Sequence, residues 1–131
     1  MKRTLINPKG HSTPRGAYSH ALKVEAGGVT HVYLTGQLAL DPEGNVVAPY
    51  DATGQTEFIF KSIGSLLAEA GCTYADVVRA QTYLTNIDDF PKFSEVRNRY
   101  FGENKPASTL LEVKGLARKE CCVEVEITAM K

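Results

Sequence analysis

Apolar positions along this chain change their period several times, and each change marks an element. ALKVEA (21–26) and HVYLTGQL (31–38) carry strand-forming residues on either side of a Gly27-Gly28 turn, and DPEGN (41–45) has the chemistry of a tight reversal. From about Gly54 to Ala70 the apolar residues Ile59, Ile63, Leu66, Leu67 and Ala70 step by four, three, one and three, which is one face of a helix that Gly71 ends. VVRAQTYLT (77–85) returns to β-branched and aromatic residues, with apolar side chains on both faces. FPKFSEVRNRYF (90–101) is helical through Phe93, Val96 and Tyr100, with Asp89 as its expected cap and Pro91 tolerated in the first turn. Two strands close the chain: STLLEVK (108–114) and CVEVEITAM (122–130). The second alternates Val123, Val125, Ile127 and Ala129 against Cys122, Glu124, Glu126 and Thr128.

This order, β-β-α-β-α-β-β with a further short strand near residue 5, predicts a single α+β domain over 1–131: a mixed six-stranded sheet with two helices on one face. Two helices cannot cover both faces. Apolar residues nevertheless stand on both, so the bare face is expected to meet another copy of the chain.

Composition then narrows the partners. At 131 residues and 43% hydrophobic the chain can bury one full core. Fifteen Lys plus Arg balance fifteen Asp plus Glu, so no global field draws in nucleic acid or anionic lipid. MKRTLINPKG lacks the apolar core of a signal peptide, and no run approaches the roughly 18 apolar residues of a membrane span, so a cytoplasmic protein is expected. Cys72, Cys121 and Cys122 are odd in number, the last two adjacent in a predicted strand, which argues against a disulfide framework. No metal is expected, since His11, His20 and His31 stand apart and no C-x-x-C or H-x-x-x-H spacing exists.

Four stretches carry candidate chemistry. Glu124 and Glu126 share a strand face; they are either a solvated charged face or a general acid/base with its neighbour, and spacing does not choose. TPRGAYSH (13–20) puts Tyr18 at a loop edge, as a rim residue or as a hydroxyl that orients a polar ligand. TGQ (35–37) is a glycine kink, or a place where backbone approaches a ligand beside Thr35. In NKPASTLLEV (104–113), Ser108 and Thr109 open a strand directly after Pro106.

Taken in order, AYSHAL, VYLTGQLALDPEGNVV, QTEFIFKSIGSLLAEAG, DVVRAQTYLTNIDDF, KPASTLLEV and VEVEITAM resemble the RidA (YjgF) family over about residues 14–130. The resemblance implies a chorismate-mutase-like homotrimer with a small-molecule cleft at each subunit interface. Active members hydrolyse reactive imines and enamines, such as 2-aminoacrylate, to 2-keto acids and ammonia without a cofactor. By motif position Glu124 looks like the residue that places the attacking water, Gly36 beside Thr35 like the backbone donor, and Tyr18 like the pocket tyrosine.

The chain departs from that pattern at the clamp. Where the family reads P-A-R-S, this chain has Pro106, Ala107, Ser108 and Thr109, and the family's helix asparagine is replaced by Ser94. A guanidinium grips a carboxylate by two charged hydrogen bonds of about 1.5–3 kcal/mol each, whereas a serine offers one neutral donor. One reading keeps the hydrolytic deaminase with its substrate anchored elsewhere, by Arg15 or Lys105. Another makes Ser108 and Thr109 the walls of a non-catalytic binding pocket. A third follows the ribonuclease label of some relatives, and zero net charge with no basic stripe or histidine pair weighs against it.

Overall fold

The computed structural model describes all residues, 1–131. Eight main elements follow in chain order: β1 Lys2–Ile6, β2 Ala21–Ala26, β3 Val29–Gln37, α1 Ala52–Glu69, β4 Val77–Leu84, α2 Phe90–Phe101, β5 Ala107–Glu112 and β6 Val123–Met130. They form one six-stranded sheet in the order β1-β2-β3-β6-β4-β5, antiparallel except for the β4–β5 pair. The expected α+β architecture is therefore present, short first strand included. No helix is long and apolar enough to cross a membrane.

Local chemistry explains the boundaries. Gly27 and Gly28 take φ of +58° and +79°, the left-handed pair that a two-residue hairpin requires. Asp41 Oδ1 accepts from the amides of Glu43 (3.0 Å) and Asn45 (2.8 Å), which closes the DPEGN reversal. Asp51 caps α1 by accepting from Gly54 N–H at 3.1 Å.

Strand parity sorts the sheet into two faces. Val32 and Leu34 of β3, Ala80 and Leu84 of β4, and Val123, Val125, Ile127 and Ala129 of β6 are buried. Against them α1 sets Ile59, Phe60, Ile63, Leu66 and Leu67, and α2 sets Phe93 and Val96. Phe60 joins the two helices, with ring centroids 6.0 Å from Phe93 and 5.3 Å from Tyr100. The other face carries Leu5 (67% exposed), Tyr33 (46%) and Leu111 (52%) among polar neighbours. Large apolar groups left open to water on a bare sheet face mark a surface that a further layer can cover.

Four local expectations need correction. Asp89 makes no capping bond to α2; a 3-10 turn over Ile87–Asp89 runs straight into the helix, and Asn86 caps that turn instead. Cys121 and Cys122 do not lie in a strand, because β6 begins at Val123, and both are buried. His11 and His20 do not stand apart, since the loop before β2 folds back and brings their rings to 5.7 Å. Ser108 and Thr109 do not line one pocket: Ser108 pairs with Ala80 on the helix side, so Thr109 points to the bare face, where Arg79 Nη2 reaches it at 3.4 Å.

Candidate active site

A bulge in β3 builds the centre of the site. Leu34 pairs with Ile127 and Gln37 with Val125, so β3 carries one residue more than β6 between those pairs, and Thr35-Gly36 arch out of the ladder. The Glu124 side chain lies directly over that arch. A Cβ built on Gly36 would overlap Glu124 Oε2 and stand 2.9 Å from Cδ, so glycine at 36 is a condition for the carboxylate to be there. Thr35 Oγ1 donates to Ser19 O at 2.6 Å and Gln37 Nε2 donates to Thr35 O at 2.8 Å, which holds both ends of the arch.

Glu124 shares a cavity of about 260 Å³ with Tyr18, Thr35, Gly36, His20 and Leu38. Burial raises its pKa above the ordinary carboxylate value, and the like charge of Glu126 raises it further. Glu126, two residues on, is tied up by the Tyr83 hydroxyl, which donates to it at 2.8 Å. The structure thus separates two carboxylates that spacing alone could not. Glu124 is in the cavity without a hydrogen-bonded partner in the chain, and Glu126 is paired on the open sheet.

The N-terminal loop forms the cavity wall. Tyr18 Oη accepts from Arg15 N–H at 3.3 Å, and its ring borders both this cavity and an adjoining one of about 400 Å³. Arg15 and Arg118 stand in that second space, Arg118 Nη1 donating to Gly44 O at 2.8 Å. His20 holds the loop in place through Ser12 O (2.5 Å) and Gln37, while His11 sits between Ser62 and Ser65 hydroxyls, each at 3.2 Å. Burial, then the neighbouring His20, lowers the His11 pKa, with Glu69 opposing. Both rings are thus occupied in seating the loop.

Ser108 is elsewhere. It lines a different cavity, of about 460 Å³, with Arg97, Asn98, Lys105 and Pro106. Parity explains the separation: Glu124 pairs with Tyr83 and Ser108 with Ala80, three residues apart on β4, so the two side chains leave opposite faces of the sheet. Of the residues singled out in the sequence, Tyr18, Thr35, Gly36 and Glu124 come together, with Arg15 next door. Ser108 and Lys105 form a second group with Ser94 close by on α2.

Arg97 is the residue that sequence reasoning missed. Its Nη2 donates to Ser94 Oγ at 2.9 Å, and it lies between Ser94 and the Ser108 cavity. The available signal was its position one helical turn past Ser94.

Comparison with known proteins gives one consistent result. Residues 10–131 match the family model described as Endoribonuclease L-PSP. A RutC family protein of Pyrococcus abyssi is 36% identical, the match covering 100% of this chain and 99% of that one. The 2-iminobutanoate/2-iminopropanoate deaminase of Rattus norvegicus is 31% identical, covering 98% of this chain and 90% of the rat protein. Among solved structures, RidA from an Antarctic Psychrobacter superposes with a TM-score of 0.83 at 31% identity, covering 96% of this chain and 98% of the other.

Proposed function

We propose, from the premise that this chain belongs to the Endoribonuclease L-PSP family, also known as the RidA (YjgF) family, that it is a hydrolytic deaminase of small reactive imines and enamines. The observation that carries this reading is the Glu124 carboxylate, unpartnered, raised in pKa and lying against the Gly36 backbone in a cavity with Tyr18.

Hydrolysis needs one group that first takes and then returns a proton. With the imine nitrogen protonated, Glu124 accepts a proton from water as the water oxygen bonds to the imine carbon, and the C=N π-electrons move to nitrogen to give a neutral carbinolamine. Glu124 returns that proton to the carbinolamine nitrogen; the C–N bond breaks with its electrons leaving on ammonia, and the hydroxyl proton passes to water as the C=O forms. A carboxylate pushed above its ordinary pKa suits both directions of transfer better than a fully solvated one. Gly36 and Tyr18 border the space in which the imine sits.

The two separate groups, Glu124 with Tyr18 and Ser108 with Lys105, fit a homotrimer in which one copy supplies the first and its neighbour the second. The bare face with Leu5, Tyr33 and Leu111 supports such an assembly.

The test generates 2-aminoacrylate in place with a serine dehydratase and follows keto-acid release. Addition of the protein is expected to accelerate release, and Glu124→Gln to abolish that acceleration. No acceleration by the unaltered protein overturns the deaminase reading in favour of a non-catalytic small-molecule binder.

A further inference from the structure

The cavity beside β5 contains an unexplained charge. Arg97 is half-buried on α2, and no carboxylate lies within ion-pair distance of it; the pairs in the chain are Lys92–Asp89, Arg99–Glu57 and Lys105–Glu103. A guanidinium removed from bulk water without a counter-ion is unfavourable unless other groups hold it. Here Nη2 donates to Ser94 Oγ at 2.9 Å and Nε donates to Asn98 Oδ1 at 3.1 Å. Its Cζ lies 5.9 Å from the Phe90 ring centroid and 5.6 Å from that of Phe93. Two acceptors and two ring faces therefore fix the side chain, and of its five N–H groups three remain free.

Those free donors belong to a residue that lines the cavity with Ser108 and Lys105. Lys105 has a φ of +48°, a backbone region that non-glycine residues seldom occupy, and its contact with Glu103 is a fully exposed 4.0 Å pair that leaves the ammonium available. Two cations and a hydroxyl around one cavity, with no acid on its wall, make a seat for an anion.

We infer that Arg97 is the substrate-anchoring guanidinium of this chain, gripping the carboxylate of an imino acid from helix α2 rather than from strand β5. The inference rests on the deaminase reading for the identity of the substrate, but the seat itself requires only an anionic ligand. The serines at 94 and 108 acquire a reason. Ser94 is short enough to let Arg97 pass and accepts a bond from it, and Ser108 leaves the cavity open in front of it. Arg15 and Arg118 stand instead in the cavity adjoining Glu124, where Arg118 is already spent on the Gly44 carbonyl and Arg15 is the rival anchor that the titration below separates from Arg97.

Two measurements on the assembled protein test the anchor. In the first, 2-oxobutanoate, a stable keto acid, is titrated against the unaltered chain, Arg97→Met, Arg97→Lys and Arg15→Met. Methionine keeps the apolar stem over Phe90 and Phe93 while removing the charge. The expected result is a dissociation constant raised roughly 10- to 100-fold in R97M. It should be partly recovered in R97K. Binding that survives R97M but is lost in R15M overturns the inference. In the second, deamination of an imine produced in place is followed at low and high production rates. R97M should be slow at low supply and approach the unaltered protein at high supply, whereas a merely structural role would lower the rate at every supply. Deamination by the unaltered chain that R97M matches at both supplies removes the anchor and leaves the deaminase. Keto-acid binding that depends on Arg97, with no deamination by any variant, upholds the anchor and removes the deaminase.

Discussion

At the scale of single residues, the proposed chemistry turns on the Gly36–Glu124 contact. A methyl group at 36 displaces the carboxylate, since it would stand 2.9 Å from Cδ. Gly36→Ala is therefore expected to lower kcat/KM by about a hundredfold, the effect of a displacement near an ångström, while thermal melting shows the fold retained. Under the proposed mechanism, ionisation of Glu124 sets the acid side of the pH profile, which should lie above the ordinary carboxylate range because burial and Glu126 both raise its pKa. Glu126→Gln removes the like charge, so the acid limb moves to lower pH. A raised carboxylate pKa also means that the folded state holds its proton more tightly than the unfolded chain does, so stability falls as pH rises through the interval between the two values. Glu124→Gln should accordingly melt higher than the unaltered protein at neutral pH, and the gap should close in acid where both states are protonated. Glu124 was legible in the sequence as one of two carboxylates on a strand face. Arg97 was not, because in FSEVRNRYF a basic residue between apolar positions has the pattern of any solvated helical charge.

At the scale of elements, one buried amide joins parts of the chain that no local pattern connects. Gln55 of α1 is fully buried; it donates to Ala48 O (3.0 Å) and Glu120 O (2.8 Å) and accepts from Cys122 N–H (2.8 Å). It thereby fixes the segment that enters β6 two residues before Glu124. Gln55→Leu keeps the volume but leaves the buried Cys122 N–H without a partner, while the Ala48 and Glu120 carbonyls keep the Asp51 and Tyr50 amides; chemical denaturation should report a loss of about 2 kcal/mol. Helix and strand positions were otherwise well foretold, since hydrophobic period 3.6 or 2 is a local property. The misplaced details have local competitors. The N–H groups at the start of α2 meet a 3-10 turn capped by Asn86, so Asp89 is not needed as a cap, and it lies 3.8 Å from Lys92 instead. Cys121 and Cys122 continue the β6 alternation on paper, yet Cys122 N–H is spent on Gln55 rather than on the ladder.

At the scale of the whole molecule, the two groups of candidate residues on opposite faces make a definite demand. If each cleft takes Glu124 from one copy and Arg97 from the next, mixing two chains, each defective in one half of the cleft, must restore activity at low imine supply. Coexpressed Glu124→Gln and Arg97→Met chains, assayed at low imine supply, are expected to recover about a quarter of the unaltered rate, the fraction of interfaces that combine two intact halves in a random closed ring. Light scattering should show three copies per particle. Sequence by itself determined the element order, the α+β class and the bare apolar face through local periodicity, and the family through contiguous motifs; the resemblance to that family, not any periodicity, singled out Tyr18, Thr35, Gly36 and Glu124 as candidates. Tertiary structure alone decided that Glu124 and not Glu126 is free, that His11 meets His20, that Thr109 turns away from Ser108, and that Arg97 stands behind Ser94 at the Ser108 cavity. Each of these depends on strand register or on side chains from separate elements meeting in space, and register is fixed by the packed core as a whole rather than by any stretch of neighbouring residues.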